Sequence, residues 1–313
     1  MLNIDIIIII IINILVVLVL TGFVSLCERR ILALVQIRVG PALFLFGILT
    51  PLTDGIKLFI KFIIFVISFE SIYLLCAMVI TACCIFIGWF YFPIGFILLL
   101  DTGFTITIMI CVHIFNNMFS IFFVGCFLFS SCFVYLSAMR TMFFSIISES
   151  SIFILYTTIY SLDYFSFFGI KDVCVGQIYI TNFYITGLMF IIIFWISMLL
   201  DSLKLPFDYM ECESELVAGI ITELSGIFFV IYSVLEINHI LLTTLLFSSL
   251  CFGGLFICAK AILILVFGFF YPRVIFYRLK ITTAQVFILI FITYICALMF
   301  SWFFTIKVIA ILF

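Results

Sequence analysis

The sequence predicts an all-α, polytopic membrane protein of about eight transmembrane helices, with an amphipathic helix in its first long loop. Three observations predict it. Hydrophobic residues make up 68% of the 313-residue chain, charged residues only 9%, and the mean hydropathy is +1.56. A soluble domain carries about 25% charged residues, so a water-facing surface cannot be built from so few. Apolar runs of span length recur along the chain, and the rare cations between them fall on alternate sides.

The runs place spans near 4–26, 71–92, 103–123, 141–162, 180–200, 225–246, 249–270 and 284–305. Asn116 and Asn117 blur the third, and only Ser248 and Ser249 mark the boundary between the sixth and seventh. No internal repeat is evident, which disfavours transporter folds built from two related halves. The whole chain, 1–313, reads as a single transmembrane helical domain.

The first run carries Asp5 and no basic segment before it. Its apolar stretch of about twenty residues spans a bilayer and exceeds a signal-peptide core. An uncleaved first span is expected, as for synthesis inside an organelle or a bacterium.

Charge orients the bundle. Alternate connecting segments (27–70, 124–140, 201–224 and 271–283) carry Arg29, Arg30, Arg38, Lys57, Lys61, Arg140, Lys204, Arg273, Arg278 and Lys280, ten of the thirteen cations. The opposite side receives Lys171 and Lys307, while Lys260 lies within a span. The bias obeys the positive-inside rule. It puts the basic loops in the cytoplasm of a bacterium or the matrix of a mitochondrion, and both termini on the other side.

Segment 27–70 is too long for a turn. After Pro51 it places Asp54, Lys57 and Lys61 at i, i+3 and i+7, one helical face. An amphipathic helix at the interface is expected there.

A net charge of −2 gives no reason to expect nucleic acid, and the 44 Phe spread along the chain read as lipid-facing bulk. The twelve cysteines form no CxxC pattern and sit mostly in apolar runs. They read as small apolar fillers, with no metal or iron–sulfur site expected on this chain.

Chemistry concentrates in the acids. Seven of fifteen lie between residues 201 and 236: Asp201, Asp208, Glu211, Glu213, Glu215, Glu223 and Glu236, with Lys204 the one base among them. Glu236 lies about ten residues into a span, roughly 15 Å deep at ~1.5 Å per residue. Glu149 is a second acid in an apolar helix, nine residues after Arg140. Ionisable groups at such depth face partners or water and mark ion or proton pathways. Crowded, buried carboxylates in general hold protons more tightly, so this set suits proton handling. The alternative is structural ion pairing, Glu149 with Lys260 for instance, or Arg29 with its neighbour Glu28.

Three stretches resemble a known family. Glu28-Arg29-Arg30-Ile31-Leu32, Gln36-Ile37-Arg38-Val39-Gly40-Pro41 and Pro51-Leu52-Thr53-Asp54-Gly55-Ile56-Lys57-Leu58-Phe59 are similar to the first matrix-side loop of the subunit 1 family of respiratory complex I. Pro206-Phe207-Asp208 and Glu211-Cys212-Glu213-Ser214-Glu215-Leu216-Val217-Ala218-Gly219 resemble that family's most characteristic stretch, and Glu223 and Glu236 follow. Arg140 and Glu149 resemble its fourth-helix pair, and Tyr271-Pro272-Arg273 the Pro-Arg before its last helix.

The resemblance implies a membrane subunit of a proton-pumping NADH:ubiquinone oxidoreductase in the mitochondrial inner membrane, or a bacterial plasma membrane. Its substrate would be ubiquinone, and its electrons would come from an iron–sulfur subunit among the other complex I subunits. By that likeness Arg29, Arg38, Phe44, Phe46, Asp54 and Arg273 shape the quinone entrance. Glu149, Asp201, Glu211, Glu213 and Glu236 form the proton path, supported by Glu28, Lys57, Arg140, Asp208, Glu215 and Glu223. No complete catalytic site is expected on this chain alone. The family pattern is broken in places: Gly268, Ile275, Tyr277, Arg278, Phe62, Ser148, Asp201 and Lys204 stand where other residues are usual. The alternatives are a membrane subunit of a related proton-translocating hydrogenase and a stand-alone proton-coupled transporter.

Overall fold

A computed structural model describes residues 2–42, 47–61, 69–91, 111–116, 123, 126, 131–161, 184–209, 216–217, 219–252 and 257–288, with 294, 295, 297, 298, 301 and 305. All regular structure among them is helical. The helices are α1 (Leu2–Val35), α2 (Thr50–Ile60), α3 (Phe69–Tyr91), α4 (Cys132–Ser161), α5 (Tyr184–Asp201), α6 (Gly226–Phe252), α7 (Ile257–Ile264), α8 (Tyr271–Ile275) and α9 (Ile281–Phe287). A 3₁₀ turn, Gly219–Glu223, precedes α6, and a π-helical stretch, Leu265–Phe270, joins α7 to α8.

Four described helical segments are long and apolar enough to cross a membrane: Ile11–Val35, Ile72–Trp89, Gly226–Ser249 and Cys258–Ile275. Met189–Asp201 is a shorter apolar helix, and α4 occupies the fourth expected span. Most of the expected third and eighth spans lies outside the described residues.

Several expected boundaries move. Helix α1 runs on to Val35, so Glu28, Arg29 and Arg30 ride on its last turns and not in a loop. Helix α4 begins at Cys132, which puts Arg140 inside it. Ser248 and Ser249 do not break α6, which continues to Phe252. Their hydroxyls donate to the carbonyls of Leu245 and Leu246, at 2.8 and 2.9 Å. A serine satisfied three residues back is compatible with an unbroken helix in an apolar setting. Ser137, Thr141, Ser148 and Ser151 bond in the same way along α4.

Helix α6 is the hub, packing against α1, α2, α3, α5 and α7. Its C-terminal part, from Ile240 to Ser249, is buried. Phe247 stacks on Phe194 of α5, with ring centroids 5.0 Å apart. At its start, a Cβ on Gly226 would lie 2.7 Å from the Leu58 carbonyl oxygen of α2. Glycine is what lets the two backbones approach so closely.

The loop after α5 turns inward. Phe207 and Tyr209 are buried, and Tyr209 stacks on Phe144 of α4 at 4.3 Å. The Tyr209 hydroxyl donates to the Leu279 carbonyl (3.1 Å), and the Leu279 amide donates to the Pro206 carbonyl (3.3 Å). Arg278 lies over the Tyr209 ring, 5.6 Å from its centroid. The residues leading into the acidic segment are thus clamped to the chain between α8 and α9. Gly268 also has a packing role: the Trp195 indole donates to its carbonyl at 3.0 Å, and a Cβ there would sit 3.3 Å from the indole nitrogen.

Candidate functional site

Three ion pairs between described residues collect at one end of the bundle. Arg29 on α1 binds Asp54 on α2 at 2.6 Å. Glu28, one residue earlier, binds Arg273 on α8. Lys204, after α5, binds Glu236 on α6 at 2.5 Å. The expected pairing of Glu28 with Arg29 is therefore not made. Consecutive helical residues point about 100° apart and cannot face each other, so each reaches a different neighbour. The side chains of Arg273 and Glu28 are both largely buried. Either charge left alone there would be costly, which makes each a necessary neighbour of the other.

All of these groups except Asp54 line a cavity of about 450 Å³. Its charged wall is Glu28, Arg29, Lys204, Glu236 and Arg273, and apolar side chains including Phe229, Phe269 and Phe270 complete it. A second cavity of about 100 Å³ lies beyond, lined by Asn116, Ser145, Asp201, Tyr232, Glu236 and His239 among others. Tyr232 and Glu236 belong to both walls. A third space of about 10 Å³ lies on the far side of Asp201, against His113, Ser197 and Thr243. Glu149 on α4 is near enough to Asp201 for their charges to interact. The described acids thus follow one another inward: Glu28, Glu236, Asp201, with Glu149 alongside.

Other expected residues lie apart from this line. Arg38 is exposed after α1, where Ile37 has φ 53°. Lys57 is exposed on α2, Arg140 is half-buried on α4, and Asp208 is half-buried in the clamped loop. Glu223 is exposed at the end of the 3₁₀ turn. Phe44, Phe46, Glu211, Glu213 and Glu215 lie outside the described residues. Lys260 donates to the Phe252 carbonyl at 2.5 Å, in place of the considered pairing with Glu149.

Two residues that sequence reasoning passed over are at the site. The chain has only two histidines, and both meet Asp201. Nε2 of His113 is 3.6 Å and Nε2 of His239 is 3.4 Å from the same carboxylate oxygen. The rings are stacked, with centroids 5.3 Å apart and planes within 5°. A readable signal existed: each histidine sits in an apolar run, and His239 follows Glu236 by three residues, on the same helical face.

A protein-family model described as NADH dehydrogenase matches residues 6–309. The chain is similar to NADH-ubiquinone oxidoreductase chain 1 of Leishmania tarentolae, with 86% identity over 313 residues and 100% of both chains covered. It is similar to the protein of the same name from Mytilus edulis, 29% identical over 76% of this chain and 77% of that one. NADH-ubiquinone oxidoreductase chain 1 of Mycosarcoma maydis is 30% identical over 74% of this chain and 70% of its own.

Proposed function

The chain belongs to the NADH dehydrogenase family, and from that premise we propose that it serves as a membrane subunit of a proton-pumping NADH:ubiquinone oxidoreductase in the mitochondrial inner membrane. Its part there is to form the entrance of the quinone tunnel and the start of the acidic path that couples quinone reduction to proton translocation. The chain acts as one transmembrane helical domain among other complex I subunits. Electrons reach the quinone from an iron–sulfur subunit among those partners.

The observation that carries this reading is the shared wall. A cavity with both apolar and charged lining touches, through Glu236, a second cavity that ends on Asp201. A quinone tail needs apolar surface, and its head group needs a few placed polar side chains. Reduction to the quinol takes two electrons and two protons. Acids set in line from that cavity are placed to feel the change and pass protons inward. Arg29 with Asp54, and Arg273 with Glu28, hold α1, α2 and α8 around the opening. Arg38, Phe44 and Phe46 complete the entrance in this proposal, and Glu211 and Glu213 complete the path.

Arg29→Ala and Asp54→Ala test the entrance in the assembled complex. Apparent KM for quinone should rise, or quinone-linked turnover fall, while NADH oxidation by an artificial acceptor that bypasses the quinone stays unchanged. Equal loss of both activities would remove these residues from the entrance. Glu236→Gln, made together with Lys204→Met so that no charge is stranded, and Glu149→Gln test the path: both should assemble and lose quinone reduction and proton pumping together.

A further inference from the structure

The acidic line reaches Asp201, and there the two histidines stand. We propose that His113 and His239, which both meet the Asp201 carboxylate, form a proton-exchange station that carries the path beyond that acid into the bundle. This rests on the proton-path reading above.

The placement is specific. Helix α6 presents Tyr232, Glu236, His239 and Thr243, residues three or four apart and so on one face. That face borders all three spaces: Glu236 the first and second, His239 the second, Thr243 the third. Helix α5 presents Ser197 and Asp201, one turn apart, to the third space. The helical stretch 111–116 supplies His113, whose ring stacks on that of His239. Both imidazoles thus meet one Asp201 oxygen, His239 bordering the second cavity and His113 the third space.

Imidazole suits the task because its two nitrogens can accept a proton on one side and release one on the other. In the step proposed, protonated Asp201 breaks its O–H bond, and Nε2 of one histidine forms the new N–H bond. The carboxylate keeps the electron pair; the imidazolium then breaks its Nδ1–H bond, the ring keeps that pair, and a water molecule takes up the proton. No electron is exchanged. At 3.4 and 3.6 Å the Nε2–carboxylate contacts exceed a direct hydrogen bond, which runs to about 3.2 Å. Transfer then takes a shift of a few tenths of an ångström or one bridging water. The space beside His113 and Asp201, about 10 Å³, is at the lower limit for one water.

A divalent metal ion is the competing occupant, since two imidazoles and a carboxylate lie with ligand atoms within 4.8 Å of one another. Ring geometry argues against it. A metal-bound imidazole points its lone pair at the ion within the ring plane. These rings lie stacked in parallel planes, so an ion in the plane of one sits out of the plane of the other.

Titratable groups around the station, among the described residues, are Asp201, Glu149 on α4, Glu236 and Tyr232 on α6, and Lys204. The test uses the assembled complex. His113→Gln and His239→Gln should assemble and keep NADH oxidation by an artificial acceptor. They should lose quinone-linked turnover and pumping by roughly tenfold, about 1.4 kcal/mol of barrier. His239→Glu restores a protonatable group and should recover part of the turnover, with its pH optimum moved down. Equal loss in the Gln and Glu variants would mean a structural role and overturn the proposal. Normal pumping in both His→Gln variants, with the Lys204→Met, Glu236→Gln double variant defective, would also overturn it while leaving the acidic path standing. Normal pumping in all of them would bring down both. Zinc bound stoichiometrically to the purified complex and lost in the histidine variants would replace the station with a metal site. Should a Gln variant fail to assemble, infrared difference spectra of the wild-type complex with ring-labelled histidine decide. Quinone reduction must shift imidazole ring modes, and silence there overturns the proposal.

Discussion

Replacing Lys204 by Met leaves the Glu236 carboxylate without its ammonium, in a site where both side chains are more than four-fifths buried (15% and 18% exposed). At 2.5 Å the gross Coulomb attraction is about 7 kcal/mol for an effective dielectric of about 20. Desolvation offsets much of this. Removing one member of a buried pair typically costs about 3–5 kcal/mol, because the other is stranded. At about 1.4 kcal/mol per tenfold, that is roughly two to nearly four orders of magnitude in the equilibrium between intact and disrupted bundle. The double variant Lys204→Met with Glu236→Gln strands no charge and should recover most of the lost stability. It should not recover pumping, because Gln cannot carry a proton. The assay is a heat-dissociation midpoint of the complex on native gels, read beside pumping per NADH. Unchanged stability in Lys204→Met would refute the ion pair, and normal pumping by the double variant would remove Glu236 from the path.

Three further outcomes follow from the geometry. Gly226→Ala should separate the start of α6 from α2, because its Cβ falls 2.7 Å from a backbone oxygen; a cost of about 1–3 kcal/mol should appear as a lower dissociation temperature. Tyr209→Phe deletes the hydroxyl bond to Leu279 and should cost about 1 kcal/mol, with faster proteolysis of the 205–209 loop as the readout. A cysteine engineered near Gly40 should be labelled only from the side of the basic loops; labelling from the other side would end the proposed topology.

Much of this was legible in the sequence because a bilayer punishes charge. Ten cations on alternate segments, seven acids in one stretch and the Asp54–Lys57–Lys61 spacing needed no coordinates to be noticed. What stayed hidden depended on long-range partners. Nothing local says that Glu28 reaches Arg273 while Arg29 reaches Asp54, and adjacency in the chain suggested the wrong pairing. Ser248 and Ser249 looked like a break because a hydroxyl in an apolar run is usually punctuation, whereas here each is satisfied by its own helix. The histidines were missed because they are 126 positions apart (239 − 113), and neither stretch alone spells a motif. Asp201 was recognised as an acid, but its contact with two imidazoles is a property of packing.

The pair between Glu28 and Arg273 also orders events in time. The partners are separated by 245 positions (273 − 28), and a growing chain lengthens by about 5–20 residues each second. Glu28 is therefore synthesised roughly 12–50 s before the cation that will bind it exists. Helices α1 and α2 can lock through Arg29 and Asp54 almost at once, since both are made early. The wall of the larger cavity stays open until nearly the whole chain has emerged. A chain made only as far as residue 272 would carry the α6 hub but lack the Arg273 partner of Glu28. Closure of that wall therefore comes late in the order in which the chain's contacts can form.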